Sequence, residues 1–404
     1  MFDIIYLKVR CFYAEFFIYI MIRVSIDKPP KIYSALDGLR AYSAFGIVLM
    51  HVFVNGGYKI NGFIFEELIP SFTNLVFLFM VISGFSMCCG YYEKIQNNTI
   101  SMKDFYVKRF AKVWPFFALL CILDVIMSPS FNSLYELFAN LTLCFGLLPN
   151  ADISVIGVGW FLGVVFVFYL LFPFFCVLIS SKRNAWFSFF ISVILNYLCT
   201  VYFFDANHVI EQYSFRTNIV YCFCFFLLGG LIYLYRSNLE QFSNKYKYLL
   251  LFISCIFLFL YFVSDGNIGV LLLFCTILLV YALGRNDIGL LNNVFTRKIS
   301  DISLELYLSH MVLYRVIEKL RLTHLYKSEL LSYLFTSFST IVGTFLFVII
   351  VRHALNKLRR LLIDQVSAKF PGISKQLAID FLKRIDLPSF ANPLIISNNS
   401  SISF

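Results

Sequence analysis

Charge is scarce in this chain. Asp, Glu, Lys and Arg make up 14% of its 404 residues, against about 25% in an ordinary soluble domain. So few charges cannot coat a water-facing surface, which excludes soluble enzymes and disordered interaction hubs. Histidine is rarer still, with 5 residues. The 11 cysteines lie almost all inside apolar runs and lack metal-ligand spacing, so small-residue packing is their expected role and neither a zinc site nor a disulfide framework is expected. No repeat, low-complexity tract or long polar stretch suggests an appended catalytic domain. Any chemistry has to reside between helices.

What the chain has instead is grease. Hydrophobic residues account for 60% and aromatics for 19%, and mean hydropathy is +0.80. Apolar runs of about 17–20 residues recur, each long enough to cross a hydrocarbon layer as a helix. The fold class is therefore an all-α, polytopic transmembrane bundle. About ten spans are expected, at roughly 41–55, 71–91, 110–127, 157–179, 186–204, 218–235, 247–264, 268–284, 303–318 and 331–351. The stretch 131–149 is also apolar, but it is short, carries Asn132, Glu136 and Asn140, and ends at Pro149-Asn150. It reads as re-entrant or interfacial.

The cations test that count. With the N-terminus inside, twenty-seven Lys and Arg fall in inner segments and five (Lys59, Arg216, Lys319, Arg321, Lys327) in outer ones, with Arg315 inside a span. This is a strong positive-inside asymmetry, and an eleventh span at 131–149 would destroy it. Both termini are expected in the cytoplasm. The net charge of +10 then reflects sidedness rather than a nucleic-acid partner. Three regions follow: an N-terminal cytoplasmic or interfacial segment (1–32), a membrane domain (33–355) and a basic cytoplasmic tail (356–404). The tail contains Leu358-Arg359-Arg360-Leu361-Leu362, suited to an anionic leaflet. Residues 1–20 lack a small-residue cleavage site; they read as an interfacial helix or as the product of an early start upstream of Met21.

In so apolar a chain, polar groups within spans are functional candidates by default. Arg40 and His51 stand eleven residues apart on the first span. At about 100° per residue they lie within about 20° of one bearing, separated by about 16 Å along the axis. One helix face thus joins an anion-binding guanidinium at the cytoplasmic lip to a proton-transfer group deeper in the membrane. The bland alternative is a topology marker and a satisfied packing histidine. In Lys108-Arg109-Phe110-Ala111-Lys112-Val113-Trp114-Pro115, Arg109 and Lys112 are neighbours on one face at the entrance to the third span, a geometry suited to phosphate. Positive-inside decoration beside an interfacial Trp accounts for them equally well. The ninth span opens with Asp301-Ile302-Ser303-Leu304-Glu305-Leu306-Tyr307-Leu308-Ser309-His310, where Ser303, Tyr307 and His310 form one polar stripe and Glu305 and Ser309 another. These groups require partners or a water-accessible cavity. The uncharged segment around Gly157-Val158-Gly159-Trp160 reads as packing and interface anchoring.

The order Leu36-Asp37-Gly38-Leu39-Arg40 with His51, the Phe79–Phe85 segment ending Ile-Ser-Gly-Phe, Arg109-x-x-Lys112-x-Trp-Pro, Trp160-Phe-Leu with Phe168-Tyr-Leu-Leu-Phe-Pro, and Ile302-Ser-x-x-Leu-Tyr-Leu-x-His310 resembles the membrane-bound acyltransferase-3 family over about 33–355. The resemblance implies transfer of an acyl group, often acetyl, from cytoplasmic acyl-CoA to a hydroxyl of a surface or lipid-linked glycan at a bacterial inner membrane. It implies that acetyl-CoA is the donor substrate, with no tightly bound cofactor and no metal. Carried over, Arg40 and His51 match the family's first-span pair, Arg109 and Lys112 its donor-binding motif, and Ser303, Tyr307 and His310 its late-span signature. His51, Tyr307 and His310 are thereby the expected catalytic residues, Arg40, Arg109 and Lys112 the donor-binding ones, and Asp37, Ser303 and Glu305 supports. Two departures stand out. The acidic residue that many members carry after the Trp motif is replaced by the run Trp160-Phe161-Leu162-Gly163-Val164-Val165, and Lys112 stands where an Arg is usual, keeping charge without bidentate geometry. From other classes, a flippase for a lipid-linked saccharide would use Arg40, His51 and Glu305 as an ion path, and a glycan polymerase would require a large basic outer loop, which this chain lacks.

Overall fold

The computed structural model describes residues 33–127, 129–147, 157–203, 215–285 and 287–369; the expectations for residues 1–20 and for most of the tail lie outside them. The chain divides into a main body, Pro29–Ala354, and a second unit, Met1–Lys28 with Leu355–Phe404. The described part of the second unit is the helical stretch 355–369.

Every regular element among the described residues is helical: α1 (Ala35–Gly56), α2 (Ile64–Gln96, with π and 3-10 turns along it), α3 (Met102–Met127), α4 (Phe131–Leu141), α5 (Trp160–Leu178), α6 (Lys182–Phe203), α7 (Ile219–Leu234), α8 (Arg236–Lys245), α9 (Lys247–Val263), α10 (Ile268–Leu283), α11 (Val294–Asp301), α12 (Ser303–Lys319) and α13 (Glu329–Lys369). Each of the ten segments expected to span is helical. Six of the helices (α1, α2, α3, α5, α6 and α13) are long and apolar enough to cross a membrane, and α7 with α8, bent by 80° at their junction, would make a seventh. The remainder fall short in length or in composition. The apolar helices α9 and α10, of 17 and 16 residues, rise only about 24–26 Å, less than the roughly 30 Å of hydrocarbon, while α12 carries Glu305, Arg315, Glu318 and Lys319.

The breaks between helices are written in polar residues. Ser181, Asn218, Asn267 and Asn293 each accept a backbone N–H of the first turn that follows them, satisfying a donor the helix cannot pair internally. Gly57, at φ 64°, ends α1 in the left-handed region. α4, the segment expected to be interfacial, has 11 residues and is too short to cross. Its Phe131 and Phe138 are exposed, while Trp114 Nε1 donates to Leu141 O at 2.8 Å and ties it to α3.

α7 is the buried centre of the main body: almost every residue from Tyr221 to Tyr233 is enclosed. It crosses α2 at a glycine contact. A Cβ on Gly84 would lie 2.3 Å from Phe226 O, and one on Gly229 would lie 2.2 Å from Val81 O, so this is backbone-to-backbone packing of the kind small residues permit. Stacked rings flank the crossing, Phe77 on Phe225 at 4.4 Å and Phe168 on Phe226 at 4.0 Å. Gly229→Val should therefore cost about 1–3 kcal/mol by overpacking, read as a lower unfolding midpoint of the detergent-solubilised protein. An unchanged midpoint would contradict the crossing. α6 lies at the periphery, with Phe187, Phe190 and Ile194 exposed, an apolar surface that water would not tolerate and lipid would.

Candidate active site

The site has two ends, both set by α1. At the first end, Gly38 lets the helix meet the backbone before α11: a Cβ there would sit 2.3 Å from Leu291 O. Asp37, buried beside it, accepts from Ser300 Oγ at 2.7 Å and from Arg40 Nη1 at 3.3 Å. Arg40 Nη2 donates to Ser86 Oγ at 2.5 Å. One turn along α2, Tyr91 OH accepts from Arg109 Nη2 at 2.5 Å, and Arg109 Nη1 approaches Met87 Sδ at 3.5 Å. Arg109 also lies over the Tyr91 ring at 4.5 Å, with Tyr169 within electrostatic reach of both Arg109 and Arg40. The segment Ser86–Tyr91 thus gathers Arg40 and Arg109 from two different helices. Lys112, a turn further along α3, has an exposed side chain. Arg40 is paired with Asp37, whereas Arg109 meets a phenol, a thioether and aromatic faces, and its Nε is buried with no hydrogen-bond partner.

The second end is a cavity of about 250 Å³ near the far end of α1. His51 forms part of its wall, with Thr73, Trp160, Arg216 and Tyr307. His51 and His310 are brought together, their ring centroids 5.2 Å apart. The Nδ1 of His310 lies 2.5 Å from Tyr307 O, and a carbonyl can only accept, so Nδ1 carries the proton and Nε2 keeps the lone pair. That Nε2 is buried and has no hydrogen-bond partner. The arrangement gives the cavity one imidazole on its wall with a second, fully buried imidazole behind it.

Other expected site residues are placed differently. Tyr307 reaches the cavity, but its hydroxyl donates to Val158 O at 2.9 Å and its ring packs on Phe161 at 5.3 Å. The phenol ties α12 to the start of α5, and its proton is engaged there rather than at His51. Ser303 Oγ donates to Ser300 O at 2.9 Å, a local bond at the start of α12. Glu305 points to α13, where Oε1 accepts from Arg352 Nε at 3.0 Å and from Nη2; the Arg352 guanidinium also donates to Asp301 O at 2.7 Å. Glu305 is an interhelical strut outside the cavity wall. Arg352→Ala should accordingly lower the unfolding midpoint, by about 1.5–3 kcal/mol for charged hydrogen bonds, while leaving activity per folded molecule unchanged. Loss of activity without loss of stability would contradict that assignment.

The cavity also draws on residues to which the sequence reading gave no site role. Arg216, counted as an outer-loop cation, is partly buried in the cavity wall, and the Gly157–Trp160 segment, read as packing and anchoring, contributes Gly157 and Trp160 to the same wall. Loop position hides Arg216: it lies just outside a span, where a cation is ordinary. The available signal was its isolation between two aromatic-rich helices.

A family model described as an acyltransferase domain, that of acyltransferase-3, matches residues 33–351. A Haemophilus influenzae protein described as uncharacterized is 28% identical over 242 residues, which are 52% of this chain and 99% of that protein. No solved structure matches.

Proposed function

The chain belongs to the acyltransferase-3 family and is a multi-pass membrane acyltransferase; from that premise we propose that it moves an acetyl group from cytoplasmic acetyl-CoA to a hydroxyl of a cell-surface or lipid-linked glycan. Arg40, Arg109 and Lys112 hold the CoA phosphates, and His51 is the general base. As the glycan oxygen attacks the thioester carbonyl, His51 takes the hydroxyl proton. The new C–O bond forms, the C–S bond breaks, and the proton passes to the departing thiolate to give CoA thiol and acetyl ester. An imidazole that takes and returns a proton without breaking a bond of its own suits this transfer. His310 holds the His51 ring from behind, as a positioning residue.

The observation that carries the reading is the layout of α1. Its one face runs from the Arg40–Arg109 patch to the wall of the His51 cavity, about 16 Å by helix rise. A pantetheine arm of similar length would connect the two. In the accompanying topology, ten segments cross a bacterial inner membrane with both termini in the cytoplasm. The charge asymmetry of the sequence supports it, and the short helices are accommodated by local thinning of the bilayer. Glu305, the acidic member of a flippase path, is engaged by Arg352, which weakens the transport reading. Mass spectrometry of surface glycans from cells with and without the gene tests the proposal. A glycan lighter by about 42 Da per acetyl in its absence is expected, and identical glycans would refute it.

A further inference from the structure

The cavity beside His51 carries a positive charge that proton transfer does not use. Arg216 precedes α7, and its Nη1 and Nη2 donate to Thr73 Oγ1 at 3.1 Å and Thr73 O at 2.8 Å. Its guanidinium lies 5.1 Å from the Phe77 ring centre and 5.9 Å from that of Trp160. The head group is thereby held in place, yet its Nε is buried with no hydrogen-bond partner. Among the described residues no Asp or Glu pairs with it, and no carboxylate lines the cavity. A cation beside aromatic rings in a membrane bundle, with no described carboxylate against it, is costly. An anion supplied by the ligand would offset that cost.

The dimensions and donors narrow the ligand. At about 250 Å³ the cavity lies just below the usual range for small-molecule sites, room for about one sugar ring, and Trp160 offers that ring an apolar face. Thr73 takes one of the two N–H groups on each Nη, so this lone guanidinium keeps one N–H on each for a bidentate partner. This suits a singly charged carboxylate better than a phosphate, which gathers several cations. We propose that Arg216 binds the carboxylate of an acidic sugar, so that the acceptor is a glycan residue of the uronic or nonulosonic acid class, held with a hydroxyl towards His51. The role as acceptor rests on the acyl-transfer reading; the binding itself does not.

Both parts are tested separately on the full chain in lipid nanodiscs. The protein has 3 Trp, so Trp114→Phe with Trp186→Phe leaves Trp160 as a fluorescent reporter at the cavity. Methyl glucuronide and methyl glucoside, alike in ring and different in charge, are the probes. The glucuronide should quench saturably and bind at least tenfold more tightly than the glucoside, and Arg216→Gln should erase that preference while Arg216→Lys keeps part of it. Equal affinities, no saturable response to the glucuronide, or a preference that survives Arg216→Gln would overturn the proposal. With labelled acetyl-CoA, the Gln variant should raise KM for the glucuronide and remove its advantage over the glucoside in kcat/KM. An equal fall in kcat on both probes would place Arg216 at the reacting carbonyl instead and overturn the carboxylate role. Selective binding without any label transfer would spare this inference and count against acyl transfer alone.

Discussion

His51→Ala should lower acyl transfer by about 10²–10⁴-fold, the usual contribution of a positioned general base, while the protein accumulates normally in the membrane. The structural reason for expecting a clean variant is that His51 lies on a cavity wall, so truncation enlarges an existing space rather than opening a void in a packed core. Its ring neighbour, His310, is fully buried with Nδ1 bonded within its own helix, and that bond does not depend on His51. His310→Ala is the contrasting case: it removes a core side chain and should reduce both stability and activity. Undiminished transfer by the His51→Ala protein would remove the base from the mechanism. The comparison is made by labelling rate per unit of membrane-embedded protein, which separates lost chemistry from lost protein.

The second large effect is expected at the opposite end of α1. Arg40→Ala or Arg109→Ala should raise the acetyl-CoA concentration needed for half-maximal rate by about 10–150-fold, the equivalent of one charge-assisted hydrogen bond at about 1.5–3 kcal/mol, with a smaller change in rate at saturation. The two variants should differ in stability. Removing Arg40 takes an ion-pair partner from the buried Asp37 carboxylate, which costs stability. Asp37→Asn combined with Arg40→Gln should therefore recover much of the stability without recovering donor affinity. Arg109 is held by Tyr91 and by the faces of aromatic rings, so its loss should leave folding closer to intact. An unchanged acetyl-CoA dependence in both variants would contradict the donor patch.

Much of this architecture is legible in the sequence because a membrane restricts what a chain can do. Six of the ten expected segments are helices long and apolar enough to cross a membrane, and the eleven-residue spacing of Arg40 and His51 places them on one face of any uninterrupted helix. The proximity of His51 to His310 was only implied, since two helices can present their histidines to each other or to unrelated neighbours, and sequence spacing holds no information between helices. Glu305 shows the limit from the other side. A carboxylate within an apolar run invites a functional reading, yet its partner Arg352 stands 47 residues away, beyond any local pattern. Arg216 and Trp160 were missed for a related reason. A cation and an aromatic at span ends have an ordinary explanation, and only the packing of α2, α5 and α7 turns them towards one cavity.

The most direct test supplies labelled acetyl-CoA to the outside of inside-out membrane vesicles and follows where the label goes. The account predicts base-labile ester label on glycan with wild-type protein, its near-complete loss with His51→Ala, and recovery of the Arg109→Ala signal only at raised acetyl-CoA. Label that never reaches glycan, or glycan labelled equally by wild-type and His51→Ala vesicles, would contradict it.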